Sequence, residues 1–348
     1  MSKQKVRIGI VGAGANTRAR HIPGFRAIDG VELVSVSNRT PESTKRVSRE
    51  FDIPKTFPRW EDLVADDDID AVMIGTWPNL HCDVTCAALA AGKHVLTEAR
   101  MARNLAEART MLAASKQHPE LVSQIVPSPF GLTCGPFVEK LIRERFLGEL
   151  RELVVLGADD VFWDYSSPLH WRQDHKISGL NILALGILHE TALRWTPPPV
   201  RVFAQSTIFE SQRPNLQTSD YSDVTVPDSV QILTQLDGGA RGMYHISGIA
   251  LFGPGKQIHL YGSRGTIHVE FEPEERVLVG HHGDATLRPV DIPGELTGGW
   301  RVEEEFIGAI RREEPVALTD FSRGETYMQF IEAAARSSGS GAAVDLPL

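Results

Sequence analysis

Through its first third the chain alternates short β-branched runs with longer amphipathic stretches. Val6, Ile8, Ile10 and Val11 form an apolar run without a charge after Arg7, which predicts a short buried strand. Residues 31–36, 71–75, 94–97 and 121–126 repeat that pattern. Helices are predicted after Gly14, over 60–64 ahead of the acidic turn Asp66-Asp67-Asp68, up to Ala91 with Gly92 as a stop, and over 105–117. Strand and helix in strict alternation are the signature of a parallel, doubly wound sheet.

The pattern changes beyond Pro136. A helix is predicted over 137–146, a strand over 150–157 and one helix across 178–195. Strands follow at 224–236, 241–249, 257–261 and 266–271, with Gly262-Ser-Arg-Gly265 as a hairpin turn, and 337–341 reads as a short flexible tail segment. With 348 residues the chain exceeds what one core usually serves, so two domains are expected. They are placed at 1–128 and 129–348, with the closing helices able to pack back on the first.

Composition removes some function classes. A formal net charge of −9 argues against nucleic-acid partners, which require basic surface. There is no basic-then-apolar leader and no apolar run near the ~20 residues of a membrane span, so a cytoplasmic protein is expected. Cys82, Cys86 and Cys134 make no metal-ligand pattern, and no metal site is expected. Cys82 and Cys86, four apart on a helix, read as buried reduced thiols.

The candidate chemistry starts at Gly12-Ala13-Gly14-Ala15-Asn16-Thr17. Gly12 permits a tight turn after the strand, and Gly14 lets backbone approach a pyrophosphate. The following helix directs its N–H groups and positive dipole end at that anion. Thr17 stands at the third glycine position of G-x-G-x-x-G, and glycine pairs also make ordinary turns. At the end of the second strand an NAD site usually carries an acid for the ribose 2′-OH. Here Asn38 and Arg39 stand instead. Asn38 can accept from a hydroxyl, and Arg39 can pair a 2′-phosphate or stack on adenine, which leans the choice between NAD and NADP toward NADP. Otherwise Arg39 is a solvated loop residue. Thr76, Trp77, Pro78 and His81 follow the third long strand, where open α/β sheets bind ligands.

GxG, then T-x-P-N-L-H at 76–81, then A-G-K-H-V-L-T-E ending at Glu98, resembles the Gfo/Idh/MocA superfamily (glucose–fructose oxidoreductase, inositol dehydrogenase, rhizopine catabolism). The segments 306–311 and 326–337 are similar to that family's closing helices, so the likeness spans essentially the whole chain. It implies an N-terminal Rossmann domain and a C-terminal α/β domain with a large, mostly antiparallel sheet. It also implies a tightly bound nicotinamide cofactor, sheet-to-sheet homodimers or homotetramers, and sugars, polyols or related molecules as substrates. His81, Glu98 and Gln124 are carried over as cofactor contacts.

The family's chemistry normally uses a Lys in E-K-P and an Asp and His in D-x-G-x-H. This chain has Ala99 and Arg100 after Glu98, and Ala184 and Leu188 at the Asp and His positions, with His189 and Glu190 just beyond. One residue along a helix is about 100° of rotation, so His189 is not a simple substitute. Either the chain keeps the fold without the catalysis, or the base has moved. Ionisable residues gathered around one cleft favour the second, since buried charge without a role is unfavourable. Arg100, His189 and Glu190 are the first catalytic candidates. Trp163, Trp171, Arg172, Asp174, His175, Lys176 and Asn181 are the substrate candidates, because flat apolar faces suit sugar C–H groups and charged or amide groups suit hydroxyls. Aromatic loops also plug gaps between domains. The expected reaction is hydride transfer between NAD(P) and a secondary alcohol or ketone of a sugar, cyclitol or dihydrodiol. A glycosidase working by transient oxidation, or a cofactor-binding homologue without turnover, are the alternatives.

Overall fold

The computed structural model describes residues 4–216 and 220–348. The chain divides into two compact units, one made of Met1–Pro127 with Arg301–Thr326, the other of Ser128–Trp300 with Tyr327–Leu348.

The first unit is built on six strands: β1 (Val6–Val11), β2 (Val31–Ser37), β3 (Lys55–Thr56), β4 (Ala71–Ile74), β5 (His94–Thr97) and β6 (Ser123–Ile125). Their order is β3-β2-β1-β4-β5-β6 and every pairing is parallel. Strand order therefore reverses between β1 and β4, and the ends of these two strands form the switch point where such sheets bind ligands. Ile8, Ile10 and all of β4 are buried on both faces, which explains their unbroken apolar runs. After β1 the backbone is helical from Ala15 onward, wound as a π-helix at Thr17–His21 and then as α1 (Ile22–Arg26). The remaining helices are α2 (Pro41–Glu50), α3 (Trp60–Val64), α4 (His81–Ala90), α5 (Leu105–Gln117) and, from the second chain segment, α9 (Val302–Ile310). Thr40 caps α2 through its hydroxyl, 3.2 Å from Ser43 N–H, with Pro41 at the first helical position.

The second unit carries β7 (Leu150–Ala158), β8 (Pro199–Thr207), β11 (Ser229–Leu236), β12 (Arg241–Ser247), β13 (Gly255–Gly262), β14 (Gly265–Glu270), β15 (Arg276–His281), β16 (Arg288–Val290) and β17 (Val344–Asp345). These form one sheet in the order β16-β15-β14-β13-β7-β12-β11-β8-β17, antiparallel throughout except for β7 beside β12. β9 (Gln212–Asn215) and β10 (Asp220–Asp223) make a separate antiparallel pair. On β11 and β14 buried residues alternate with accessible ones, the mark of a sheet covered on one side. Helices α6 (Gly135–Arg143), α8 (Leu185–Trp195) and α10 (Phe321–Ser340, whose later part belongs here) supply apolar residues to that core. Gly157 lets α8 approach closely, since a Cβ there would sit 2.7 Å from the end of the Leu188 side chain.

Three expectations about this half are corrected. The single helix expected over 178–195 is helical only from Leu185, as α8; a short α7 (His175–Ser178) ends where it was to begin, and Gly179 at φ 66° and Leu183 at φ 42° lie in the turn between. Ser178 Oγ donates to Asn181 O (3.1 Å) and Asn181 Nδ2 donates to Ser178 O (2.6 Å), so side chains take the bonds a helix would need. The strand expected from residue 224 begins at Ser229, because Val224 N–H donates to Ser211 O (2.8 Å) and Thr225 N–H to Gln173 O (2.9 Å), outside the ladder. Residues 337–340 are the end of α10 and not a flexible tail. Buried Ser337 accepts from Ala204 N–H (2.9 Å) and donates to Ala342 O (2.7 Å).

Candidate functional site

The turn after β1 fits an anion. Gly12 has φ +84°, and a Cβ there would lie 2.6 Å from Thr76 Cγ2 and 2.8 Å from Thr76 N, so the turn itself requires glycine. Gly14 is different. It is exposed, and a Cβ there would meet Gly75 O at 3.4 Å and nothing nearer. The protein's own packing does not require glycine at this position, whereas a phosphate seated against the backbone does. The departure at Thr17 has a local compensation. A Cβ on Gly75 would fall 2.1 Å from Thr17 Oγ1, so glycine at the end of β4 makes room for the Thr17 side chain. Ala15 is exposed and Asn16 half-buried at the start of the helix.

Asn38 faces the same turn. Its Oδ1 accepts from Ala13 N–H at 2.7 Å, and its Nδ2 donates to Ser43 O and Ser43 Oγ, both at 3.3 Å. It fixes the glycine turn to the start of α2. Arg39 is exposed and lays its guanidinium 5.4 Å from the ring centre of Trp77, itself 38% exposed. An arginine from the end of β2 and an indole from the end of β4 thus share one edge of the switch point. Thr76 donates from its hydroxyl to Trp77 O (3.1 Å), and buried Pro78 opens the turn that leads into α4.

His81 is interior. It is fully buried, with Nδ1 2.9 Å from Arg100 O and Nε2 3.1 Å from Thr76 O, and burial lowers its pKa despite these carbonyls. It staples the loop after β4 to the loop after β5, which corrects its reading as a direct cofactor contact. Gln124 is likewise interior, donating to Glu305 of α9 at 3.4 Å. Glu98, after β5, accepts at Oε1 from Asn16 Nδ2 (2.6 Å) and from His21 Nε2 (3.1 Å). Burial alone would raise its pKa, but the bonds from His21 and Asn16 hold it below the usual carboxylate range. Arg100 is buried, and the peptide joining it to Ala99 is cis.

In the second unit two catalytic expectations give way. His189 is fully buried, 2.8 Å from Tyr244 OH through Nδ1 and stacked on Phe330 at 3.7 Å between ring centres. Burial lowers its pKa to about 3. A base must reach the proton that it removes, and this ring is packed inside the sheet–helix core. Glu190 forms a two-pronged ion pair with Arg194 (2.9 and 2.5 Å) and accepts from Ser128 N–H at 2.8 Å. Arg194 also donates to Ser128 O and Phe130 O. Both residues anchor the entry of the chain into the unit.

The aromatic and charged loops are accessible. Trp163 is 49% exposed. Arg172 lies over the Trp171 ring at 4.3 Å, and burial lowers its pKa. Asp174 caps α7 through Lys176 N–H (2.9 Å), His175 N–H donates to Thr225 Oγ1 (2.8 Å), and the side chains of His175 and Lys176 are exposed. Asn181 is buried in the turn below them. Two residues that shape these loops were not anticipated. His170 caps the Trp171–Gln173 turn, accepting from Arg172 N–H at 3.2 Å. Arg213 is buried and donates to the carbonyls of Phe162, Asp164 (2.7 Å) and Ser167, holding the Trp163 loop. A lone arginine on a short polar strand gives no sequence signal of such a role.

Two family models match this chain. Residues 6–125 match the oxidoreductase family with an NAD-binding Rossmann fold, and residues 137–268 match the Gfo/Idh/MocA C-terminal domain. The chain belongs to the Gfo/Idh/MocA oxidoreductase family. Among curated relatives, bovine (Bos taurus) trans-1,2-dihydrobenzene-1,2-diol dehydrogenase is 26% identical over 83% of this chain and 80% of its own length. The dTDP-3,4-didehydro-2,6-dideoxy-alpha-D-glucose 3-reductase of Streptomyces antibioticus is 25% identical over 92% of each chain. Among solved structures, levoglucosan dehydrogenase in complex with NADH and levoglucosan superposes with a TM-score of 0.88 at 22% identity, covering 99% of this chain and all of that one. The first unit of this Gfo/Idh/MocA chain is therefore its NAD-binding Rossmann domain. The nine-stranded sheet of the second is the large, mostly antiparallel sheet that the resemblance implied.

Proposed function

We propose that this oxidoreductase transfers hydride between NAD(P) and a secondary alcohol or ketone of a sugar, cyclitol or dihydrodiol. The observation that carries this is the Gly14 position, which the protein leaves open where a pyrophosphate must approach. Gly12, Gly14, Ala15 and Asn16 cradle the pyrophosphate, Arg39 and Trp77 flank the adenine end, and Thr76, Pro78 and Glu98 complete the cofactor side. The nicotinamide supplies the hydride acceptor or donor. This chain's residues must orient the carbinol, stabilise negative charge on its oxygen and move the O–H proton. Arg100 serves the second task, since an arginine stays protonated. With His189 and Glu190 committed to packing, the proton goes to the 171–176 segment, through His175 or Lys176. Trp163 and Trp171 offer flat faces to the sugar, and Arg172 holds a hydroxyl.

Arg39 stands where no acid would repel a 2′-phosphate, which favours acceptance of NADP beside NAD. Soluble homodimers are proposed through the uncovered face of the nine-stranded sheet, where Phe203, Leu233 and Met243 are exposed. The decisive experiment follows NAD(P)H absorbance across a panel of sugars, cyclitols and dihydrodiols. Stoichiometric NADH or NADPH formation supports the reading. Cofactor binding without turnover on any of them overturns it, and product release without net reduced cofactor points to transient oxidation.

A further inference from the structure

We propose that His21 is a positioning residue. It is a buried imidazolium that joins Glu303 of α9 to Glu98 after β5, keeps Glu98 and Asn16 in place for the cofactor, and makes cofactor affinity depend on its own proton. The proposal rests on the cofactor reading of Glu98 and Asn16 given above.

Both ring nitrogens of His21 meet carboxylates: Nδ1 contacts Glu303 Oε1, and Nε2 lies 3.1 Å from Glu98 Oε1. An ionised carboxylate only accepts, so both nitrogens must carry hydrogen, and that is the cation. In the neutral ring one of these contacts would set lone pair against lone pair. The fold encloses the chain of groups. His21 is completely buried and is the last residue of the π-wound stretch, whereas Ala19 and Arg20 before it are exposed. π-turns are rare and tend to occur at functional places. Glu303 is also buried, and a Cβ on Gly24 would fall 2.8 Å from its Oε2, so Gly24 lets the carboxylate close over the ring.

Asn16 Nδ2 donates to the Glu98 oxygen that His21 holds, at 2.6 Å, and comes within 3.4 Å of the ring. Asn16 follows the glycine turn directly, so the imidazolium reaches the cradle through a single carboxylate. Burial opposes charge on the ring, but hydrogen bonds and attraction from Glu303 and Glu98 outweigh it and raise its pKa to about 9. Of the other charged groups, Arg18 on the same turn pairs with Glu50 of α2, Arg20 is exposed, and His81 acts on Glu98 from α4.

Two measurements test this. Histidine-selective NMR on the cofactor-free protein should show His21 doubly protonated at pH 7, titrating near pH 9, and about one unit or more lower in Glu303→Gln. NADH affinity, read by fluorescence from pH 7 to 10.5, should weaken about tenfold across the same midpoint, and the midpoint should move down with Glu303→Gln. His21→Gln should bind weakly at pH 7 and show no step, with its fold checked by circular dichroism. A neutral His21 at pH 7 overturns the proposal. NADH binding with the same pH dependence in wild type and His21→Gln also overturns it and leaves the cofactor reading standing. No NADH binding at any pH overturns both.

Discussion

Gly14 and Gly75 flank the same turn and answer to different demands. Gly14→Val adds an isopropyl group into space that the protein leaves open, so stability should hardly change. NADH affinity should drop about a hundredfold or more, because the pyrophosphate would lose its seat. Paired calorimetry and thermal melting check both halves of that statement. Gly75→Ala should do the reverse. Its Cβ would fall 2.1 Å from Thr17 Oγ1 and 2.2 Å from Gly12 O, an overpacking that costs about 1–3 kcal/mol in denaturant unfolding. These residues also show how much chemistry the sequence disclosed. GxG and its place after the first strand were legible because turn and cradle both act within a few residues. The exchange of the third glycine for Thr17 was not legible as harmless, since its compensation lies at Gly75, beside it only once β1 and β4 pair. His189 misled for a related reason. Its place one residue beyond Leu188, which stands at the histidine position of D-x-G-x-H, suggested a site, but the helix phase turns the ring onto Phe330 and Tyr244. His189→Ala should therefore destabilise the protein by about 3–5 kcal/mol, as loss of a large buried ring does. The pH–rate profile should keep its shape, which kinetics on the folded fraction would reveal.

At the scale of elements, α8 illustrates where pattern reading stopped. Its apolar face was visible over 178–195, yet the first third of that stretch is a turn made by Ser178 and Asn181 bonding each other's carbonyls. Small polar residues support either a helix or such a turn, and tertiary packing decides between them. The same ambiguity hid the end of α10, where serine and glycine composition suggested a loose tail and Ser337 instead ties helix to strand. α8 is fastened at its other end by the Glu190–Arg194 pair and Ser128 N–H. Removing one partner of a buried pair leaves the other charge uncompensated, so Glu190→Ala should destabilise by about 3–5 kcal/mol. The loss should be read in urea unfolding. If activity per folded molecule fell instead while stability stayed, Glu190 would return to the list of catalytic groups.

At the scale of the whole molecule, the alternating pattern made the parallel Rossmann sheet legible, because β1, β2, β4 and β5 are local apolar runs, whereas the two polar residues of β3 (Lys55–Thr56) carry no such signal. The nine-stranded sheet was legible only as a set of strands, since its order joins β7 to β12 and β13 across long stretches of chain. Its uncovered face is the last feature with a testable consequence. Phe203, Leu233 and Met243 are 43%, 59% and 43% exposed on neighbouring strands, and with Leu156 they line a shallow cavity of about 380 Å³. Scattered apolar residues on a surface need no explanation, but a contiguous set does. A stable protein–protein interface buries about 1,600 Å² in total, and a broad sheet face offered to its own copy can supply such an area with two-fold symmetry. Arg201 and Arg241 lie at the accessible ends of β8 and β12, so charge collects at the edge and apolar groups at the centre, as an interface requires. The expectation is a mass near twice 38.3 kDa by sedimentation at micromolar concentration. Leu233→Asp should shift that mass to the monomer, since two facing carboxylates would be buried, with the far-ultraviolet spectrum unchanged. A wild-type monomer at that concentration would refute the self-association, and a dimer unaffected by Leu233→Asp would move the interface to another surface.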